Sequence, residues 1–150
     1  MTDIPEIINQ EIFKNRFRAG EIYTRKSVYP ICFPGKTWDK GGPWATGYAT
    51  AGKKLIIFMN IGICSKTGHD YENSYDPDSE EIMWCGKAFS NLGQPTMQGI
   101  INFSLAPHFF ARWDQTPQFK YLGIGLMKSF KENYPSKEGS LMRYSFKCVN

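Results

Sequence analysis

The chain has 150 residues, of which 41% are apolar and 21% charged, and its formal net charge is +4. This length suits one domain with its own hydrophobic core, and the composition excludes disordered and fibrous proteins. The longest apolar run, residues 55–59, is far shorter than the about 20 residues that cross a bilayer. No basic start followed by an apolar stretch indicates a signal peptide, so we expect a cytoplasmic protein without membrane contact.

The charges are unevenly distributed along the chain. Six of the 14 acidic residues lie within residues 70–81, which contain no Lys or Arg, so all 18 basic residues face only eight acidic ones elsewhere. The basic remainder could bind a polyanion while the acidic segment faces away from it. An ordinary solvated surface with one acidic loop explains the same distribution equally well.

The hydrophobic pattern predicts a helix at the N-terminus and mostly strands after it. Apolar residues such as Ile4, Ile8 and Ile12 recur at helical spacing, and Gly20 suits the exit, so we predict a helix over residues 4–19. The later predicted elements are a strand or helical turn at 21–29, a turn region at 30–43, a hairpin of strands 44–51 and 54–61, a strand at 82–85, a helical turn at 96–102, paired strands at 107–113 and 119–126, a turn or short helix at 128–134, and a strand at 141–149.

These elements together predict the fold class. Short strands with irregular loops and one N-terminal helix are typical of a mainly β domain with one or two short helices (α+β), arranged as an open pseudo-barrel or a highly twisted sheet. The strand at 55–59 is apolar on both faces, which indicates a central, covered position. In the final strand one side is apolar and the other polar.

The residue pattern gives no support for a metal centre, a cofactor or a catalytic set. The four cysteines form no Cys-x-x-Cys pair, and His69 and His108 lie far apart without matched ligands, so we expect His108 to be structural. A Pro-Asp nuclease signature could begin at Asp78, but Cys85 stands two residues before Lys87, where a carboxylate is required. Gly-rich phosphate loops are absent from the sequence.

Polar loops between the apolar strands combine basic, aromatic and amide side chains, which favours nucleic-acid binding over catalysis. Arg can bind guanine through two hydrogen bonds and Asn or Gln can bind adenine in the same way, each worth about 1–3 kcal/mol of discrimination. Trp38, in a Gly-rich basic loop, could stack on a base or close one end of the barrel. The candidate DNA-contacting residues are Arg25, Lys36, Trp38, Lys40, Lys66, His69, Tyr71, Asn73, Trp84, Lys87, Ser90, Asn91, Gln94 and Arg112.

Two other functions stay open from the residues alone. Asp70, Asp76 and Asp78 could surround the metal ion of a small nuclease, and the aromatic residues could anchor a protein partner. For Phe109 and Tyr121 we expect a place in the core.

Residues 23–125 resemble a family of prokaryotic domains that occur fused to nucleases, including helicase–nuclease fusions of modification-dependent restriction systems. The resemblance rests on Trp84, on Phe110-Ala111-Arg112 and on Phe119-Lys120-Tyr121-Leu122-Gly123, supported by Tyr23-Thr24-Arg25-Lys26. The chain departs from the family pattern after Trp84, where Gly86-Lys87 replaces the usual Ser-Gln. The loop over residues 30–43 is also longer and richer in Gly than the family pattern.

The resemblance implies a target-recognition domain of a restriction endonuclease. Its barrel would be similar to plant-type transcription-factor barrels or to methylcytosine readers, and its loops would read a short sequence, a modified cytosine or both in double-stranded DNA. If a base is flipped, Trp38, Trp84 or Tyr71 would stack on it, and a neighbouring Asp or backbone group would bind its Watson–Crick edge. We expect residues 1–150 to form one such non-catalytic domain, covalently linked to a nuclease domain in a longer protein.

Overall fold

The computed structural model describes residues 4–64 and 68–149. Within these residues the chain forms three α-helices, one 3₁₀ turn and eight strands. In chain order they are α1 (Glu6–Lys14), β1 (Ile22–Thr24), α2 (Arg25–Cys32), the 3₁₀ turn (Pro43–Ala45), β2 (Tyr48–Ala51), β3 (Lys54–Asn60), β4 (Ser74–Asp76), β5 (Glu81–Cys85), α3 (Pro95–Ile101), β6 (Ala106–Arg112), β7 (Gln118–Tyr134) and β8 (Leu141–Val149).

The described strands form one open sheet in the order β2-β3-β6-β7-β8-β5-β4, with β1 pairing separately with β7. β3 and β6 are parallel, whereas the other paired strands are antiparallel. The register shifts between Phe109 and Phe110 in β6, and again twice along the β7–β8 ladder. Such bulges bend a strand and increase its twist, which favours a curved sheet over a flat one.

Apolar clusters cover both faces of this sheet. Along β3, Leu55, Ile57 and Met59 join one cluster, whereas Ile56 and Phe58 join the other. The two sets alternate because successive side chains of a strand point to opposite faces. The predictions of a covered central strand and of a mainly β fold are therefore confirmed, with three short helices in place of one or two.

A buried polar network fastens α1 to the sheet. His108 is fully buried; its Nδ1 lies 2.9 Å from the hydroxyl of Tyr121, and its Nε2 lies 3.1 Å from Oε1 of Glu11. The same carboxylate oxygen lies 3.3 Å from Nζ of Lys54, and Asn15 donates to the Tyr121 hydroxyl at 2.9 Å. Burial lowers the pKa of His108, so the imidazole is neutral and bonded at both nitrogens.

Several predicted elements differ from the structure, among them the first helix and the segment 128–134. The first helix ends at Lys14, well before residue 19, and Phe13 is 92% exposed at its end. The prediction of a turn or short helix at residues 128–134 was wrong, because β7 continues through them and pairs with β8 as far as the Tyr134–Leu141 pair. Pairing across the hairpin, rather than any local pattern, holds this part of β7 extended.

None of the helices in the described part of the chain is long and apolar enough to span a membrane.

Candidate nucleic-acid interface

A cavity of about 680 Å³ opens on the sheet above β3 and the end of β6. Its base includes Phe58, Asn60 and Arg112, and its walls come from the loop before β2, from the segment that precedes β4 and from the end of β5 with the segment that follows it. Nine of the predicted DNA-contacting residues line it, although they are spread over much of the sequence: Arg25, Trp38, Lys40, His69, Tyr71, Asn73, Trp84, Lys87 and Arg112.

Aromatic rings form much of the cavity wall. Trp38 is half-buried, and its indole N–H donates to the carbonyl of Gly41 at 3.0 Å, which orients the ring. Tyr71 stacks on His69 with ring centroids 5.9 Å apart and planes 25° apart. Half-buried rings of this kind can offer a flat apolar face to a planar ligand.

Trp84 exposes less of its side chain to the cavity than the sequence predicted. Its side chain belongs to the core and only 3% of the residue is exposed. One face stacks on Tyr144 at a centroid distance of 5.8 Å, and Tyr48 packs edge-on at 5.3 Å. Trp84 therefore supports the wall of the cavity more than it faces the interior.

The cavity lining is strongly basic. It contains Arg25, Lys40, Lys87 and Arg112 and, among the described residues, no Asp or Glu. Nζ of Lys87 lies 4.7 Å above the ring of Tyr48, and burial lowers the pKa of its ammonium group. Several cations around an apolar wall produce a positive potential that attracts anionic ligands.

Two polar side chains hold the cavity in shape. The side-chain amide of Asn73 donates to the carbonyl of Asn60 at 3.2 Å and accepts from the N–H of Cys85 at 2.9 Å. The hydroxyl of Tyr71 accepts from the N–H of Ala88 at 3.1 Å. Since both side chains bond to backbone groups, they fix the wall around residues 71–73 against the ends of β3 and β5 and against the segment that follows β5.

The remaining predicted contact residues lie outside the cavity lining. Ser90 is buried, and its hydroxyl accepts from the N–H of Met142 at 2.9 Å. Asn91 and Gln94 are exposed and bond within their own loop, since the Gln94 amide oxygen accepts from the Asn91 N–H at 3.2 Å. Lys36 is exposed, and Lys66 lies outside the described residues.

Sequence reasoning missed several residues that line the cavity, among them Thr46, Tyr48 and Asn60. Thr46 accepts from Nζ of Lys87 at 3.1 Å, and Asn60 accepts from Nε of Arg112 at 2.7 Å. Tyr48 and Asn60 fall in predicted strands, where nothing in the local pattern separates a cavity-lining side chain from a core one. Their role depends on strand pairing, so the sequence carried no direct signal for it.

The acidic residues of the alternative metal site do not gather in one place. Asp70 pairs with Lys137 at 3.7 Å, whereas the carboxylate of Asp76 accepts from the backbone N–H of Asp78 at 3.0 Å. Within residues 4–64 and 68–149 no group of three or more His, Cys, Asp or Glu could hold a metal ion.

No protein-family model and no curated protein matches the sequence. Solved structures do match the fold. The SRA domain of SUVH5, in a complex with fully methylated CG DNA, aligns over 90% of each chain with a TM-score of 0.55 and 14% identity. The restriction endonuclease MspJI, in a complex with a 27-mer oligonucleotide, aligns over 95% of this chain and 45% of its own, with a TM-score of 0.56 and 10% identity.

A third structure, the DNA modification-dependent restriction endonuclease AspBHI, aligns over 88% of this chain and 75% of its own, with a TM-score of 0.51 and 10% identity. At such low identities the likeness concerns the arrangement of the strands and helices. The predicted similarity to a methylcytosine-reader barrel is confirmed at the level of the fold. The chain thus has the fold of the SUVH5 SRA domain, shared with the restriction endonucleases MspJI and AspBHI.

Proposed function

We propose that this chain is a double-stranded DNA-recognition domain that reads modified cytosine by taking a flipped base into the cavity. The observation that carries the proposal is the cavity itself, which combines aromatic walls with four basic lining residues on this fold. The neighbouring structures support it, since one is an SRA domain in complex with fully methylated CG DNA and another is a modification-dependent restriction endonuclease.

The size and walls of the cavity suit a nucleotide. Its volume of about 680 Å³ falls inside the range of small-molecule sites in proteins, about 300–1,000 Å³. Trp38 and Tyr71 supply rings on which a base can stack, a contact worth about 1–3 kcal/mol. A base within a duplex cannot enter a closed pocket, so it would have to rotate out of the stack.

The two lysines at the cavity account for affinity rather than for base choice. Lys40 and Lys87, at the cavity, can neutralise phosphates on either side of the flipped nucleotide. The association constant K for DNA falls as the salt concentration rises, and each neutralised phosphate should make the slope of log K against log salt concentration more negative by about 0.9. Binding should therefore weaken markedly as the salt concentration rises.

We further propose that the domain serves as the target-recognition part of a restriction endonuclease. The chain spans 45% of MspJI, and so the remainder of that chain has no counterpart in residues 1–150. In this proposal the cutting of DNA belongs to a linked nuclease domain, and residues 1–150 supply recognition.

The direct test is a gel-shift series with duplexes that differ only at one cytosine: unmodified, 5-methyl or 5-hydroxymethyl. We expect tighter binding to at least one modified duplex, and steep salt dependence for all of them. Trp38→Ala should reduce the preference for the modified duplex, whereas Trp113→Ala should not, because Trp113 is 47% exposed and lies outside the cavity lining. Equal affinity for every duplex, or no binding to any, would contradict the proposal.

A further inference from the structure

Two arginines from distant parts of the chain meet beside one aromatic ring of the core. Arg25 is the first residue of α2 and Arg112 the last of β6. The guanidinium carbons of Arg25 and Arg112 lie 4.9 Å and 4.6 Å from the centre of the Phe119 ring, and Arg25 also lies 5.0 Å from the Phe58 ring. Both arginines line the cavity.

The two guanidinium groups differ in their hydrogen bonds. Arg112 is only 5% exposed and is held in place, since its Nε donates to Asn60 and its Nη1 donates to the carbonyl of Thr116, each at 2.7 Å. Nε of Arg25 is also buried, but it has no hydrogen-bond partner among the described residues. An unsatisfied buried donor is uncommon in native structures, and a bound ion or ligand is one way in which it is satisfied.

No carboxylate compensates this pair of positive charges. Neither guanidinium forms a salt bridge with any residue in the described part of the chain, and the nearby Asp114 acts on Arg112 only at longer range. Burial and the charge of Arg112 lower the pKa of Arg25 to about 10, so both groups remain charged at neutral pH. Contact with the aromatic rings offsets part of the repulsion.

We propose that Arg25 and Arg112 form an oxyanion subsite at the buried end of the cavity. Its ligand would be an oxyanion of the nucleotide held there, either the nucleotide's phosphate or a carboxyl group carried by the base. The inference rests on the proposed function and goes beyond it by naming the chemistry that the cavity selects.

The geometry favours a planar or tetrahedral oxyanion over a methyl group. A guanidinium presents its N–H donors in a fixed fork that matches two oxygens of a carboxylate or phosphate. A 5-methyl group offers no acceptor to the unsatisfied Nε of Arg25, whereas a 5-carboxyl group or a phosphate does. A ligand anion would also remove the repulsion between the two guanidinium groups.

Two binding series distinguish the sources of the anion. In the first, duplexes carry 5-carboxyl-, 5-methyl- or 5-hydroxymethylcytosine at one position, with identical phosphates. In the second, deoxycytidine and its 5′-monophosphate compete for binding of a labelled duplex. Preference for the 5-carboxyl duplex assigns the subsite to the base, and stronger competition by the monophosphate assigns it to the phosphate. If neither preference appears while a modified duplex still binds, the subsite is refuted and the proposed function stands.

Matched variants test whether the preference for an oxyanion ligand depends on the arginine pair. Arg25→Gln should weaken the preferred oxyanion ligand about 10- to 100-fold, the range expected for a lost hydrogen bond to a charged group. Lys26→Gln removes the same charge one residue away, from an exposed side chain that pairs with Asp39 at 3.5 Å, and should leave the preference unchanged.

Thermal unfolding of each variant shows whether it is folded. If Arg25→Gln does not fold, Arg25→Lys takes its place. Lysine keeps the positive charge but lacks the paired N–H donors of the guanidinium, so this variant should still lose most of the preference for the oxyanion ligand. Equal loss in Arg25→Gln and Lys26→Gln would overturn the subsite, because it would show a general charge effect. Wild-type protein that binds no duplex at all would instead refute the proposed function.

Discussion

Removal of the Glu11 carboxylate should destabilise the fold by undoing the network that fastens α1 to the sheet. The carboxylate is the hydrogen-bond acceptor for the buried Nε2–H of His108, at 3.1 Å, and the ion-pair partner of Lys54, at 3.3 Å. Glu11→Ala leaves the His108 donor buried and unsatisfied, at a cost of about 1–3 kcal/mol. The side chain of Lys54 is 29% exposed, so the loss of its ion pair with Glu11 adds only about 0–1 kcal/mol to this cost.

We therefore expect Glu11→Ala to lower the free energy of unfolding by about 1–4 kcal/mol, measured by urea denaturation at pH 7.5. Glu6→Ala is the matched control, because Glu6 is an exposed carboxylate on the same helix and accepts a hydrogen bond from the exposed side chain of Gln10. It should change stability by no more than about 0.5 kcal/mol. A Glu11→Ala value as small as that of Glu6→Ala would refute the reasoning.

The same network sets a pH dependence whose sign follows from two lowered pKa values. Burial lowers the pKa of His108 below its usual 6.5, so the unfolded chain takes up this proton first, and stability falls as the pH drops below about 6.5. The hydrogen bond from His108 lowers the pKa of Glu11 below 4.5, so its contribution is present above about pH 4.5 and is lost on further acidification. Urea denaturation between pH 8 and 3 follows both steps, and constant stability from pH 7 to 5 would contradict the assignment of a neutral His108.

Three further predictions follow from the sheet and the cavity. Gly125→Ala should lower the melting temperature, at a cost of about 1–3 kcal/mol for overpacking, because the added methyl group would overlap a ring carbon of Phe109. Asn73→Ala should cost about 1–3 kcal/mol in urea denaturation, because it leaves the Cys85 N–H without its acceptor; an unchanged unfolding midpoint would show that the amide is dispensable. Lys87→Gln should weaken binding to modified and unmodified duplexes alike and reduce the slope of log K against log salt by about 0.9, whereas a loss confined to the modified duplex would place Lys87 on the base.

Some features of this protein follow from the sequence alone because they depend on local periodicity. The alternation in residues 141–149 predicted one apolar side, and Met142, Tyr144, Phe146 and Cys148 are all buried in β8. The apolar run at 55–59 predicted a strand covered on both faces, which β3 is. An apolar–polar alternation and a continuous apolar run both involve only neighbouring residues, so such strands can be recognised without knowing which strands pair with them.

The cavity and the extent of β7 were decided only by the tertiary structure. Residues 128–134 are extended because β8 pairs with them, and Arg25 meets Arg112 because α2 and the end of β6 converge on Phe119. The composition of the loops indicated the kind of chemistry, yet it could not separate the cavity-lining Tyr71 from the buried Ser90. Which polar side chains face a ligand depends on contacts between segments far apart in the chain, and no local pattern encodes those contacts.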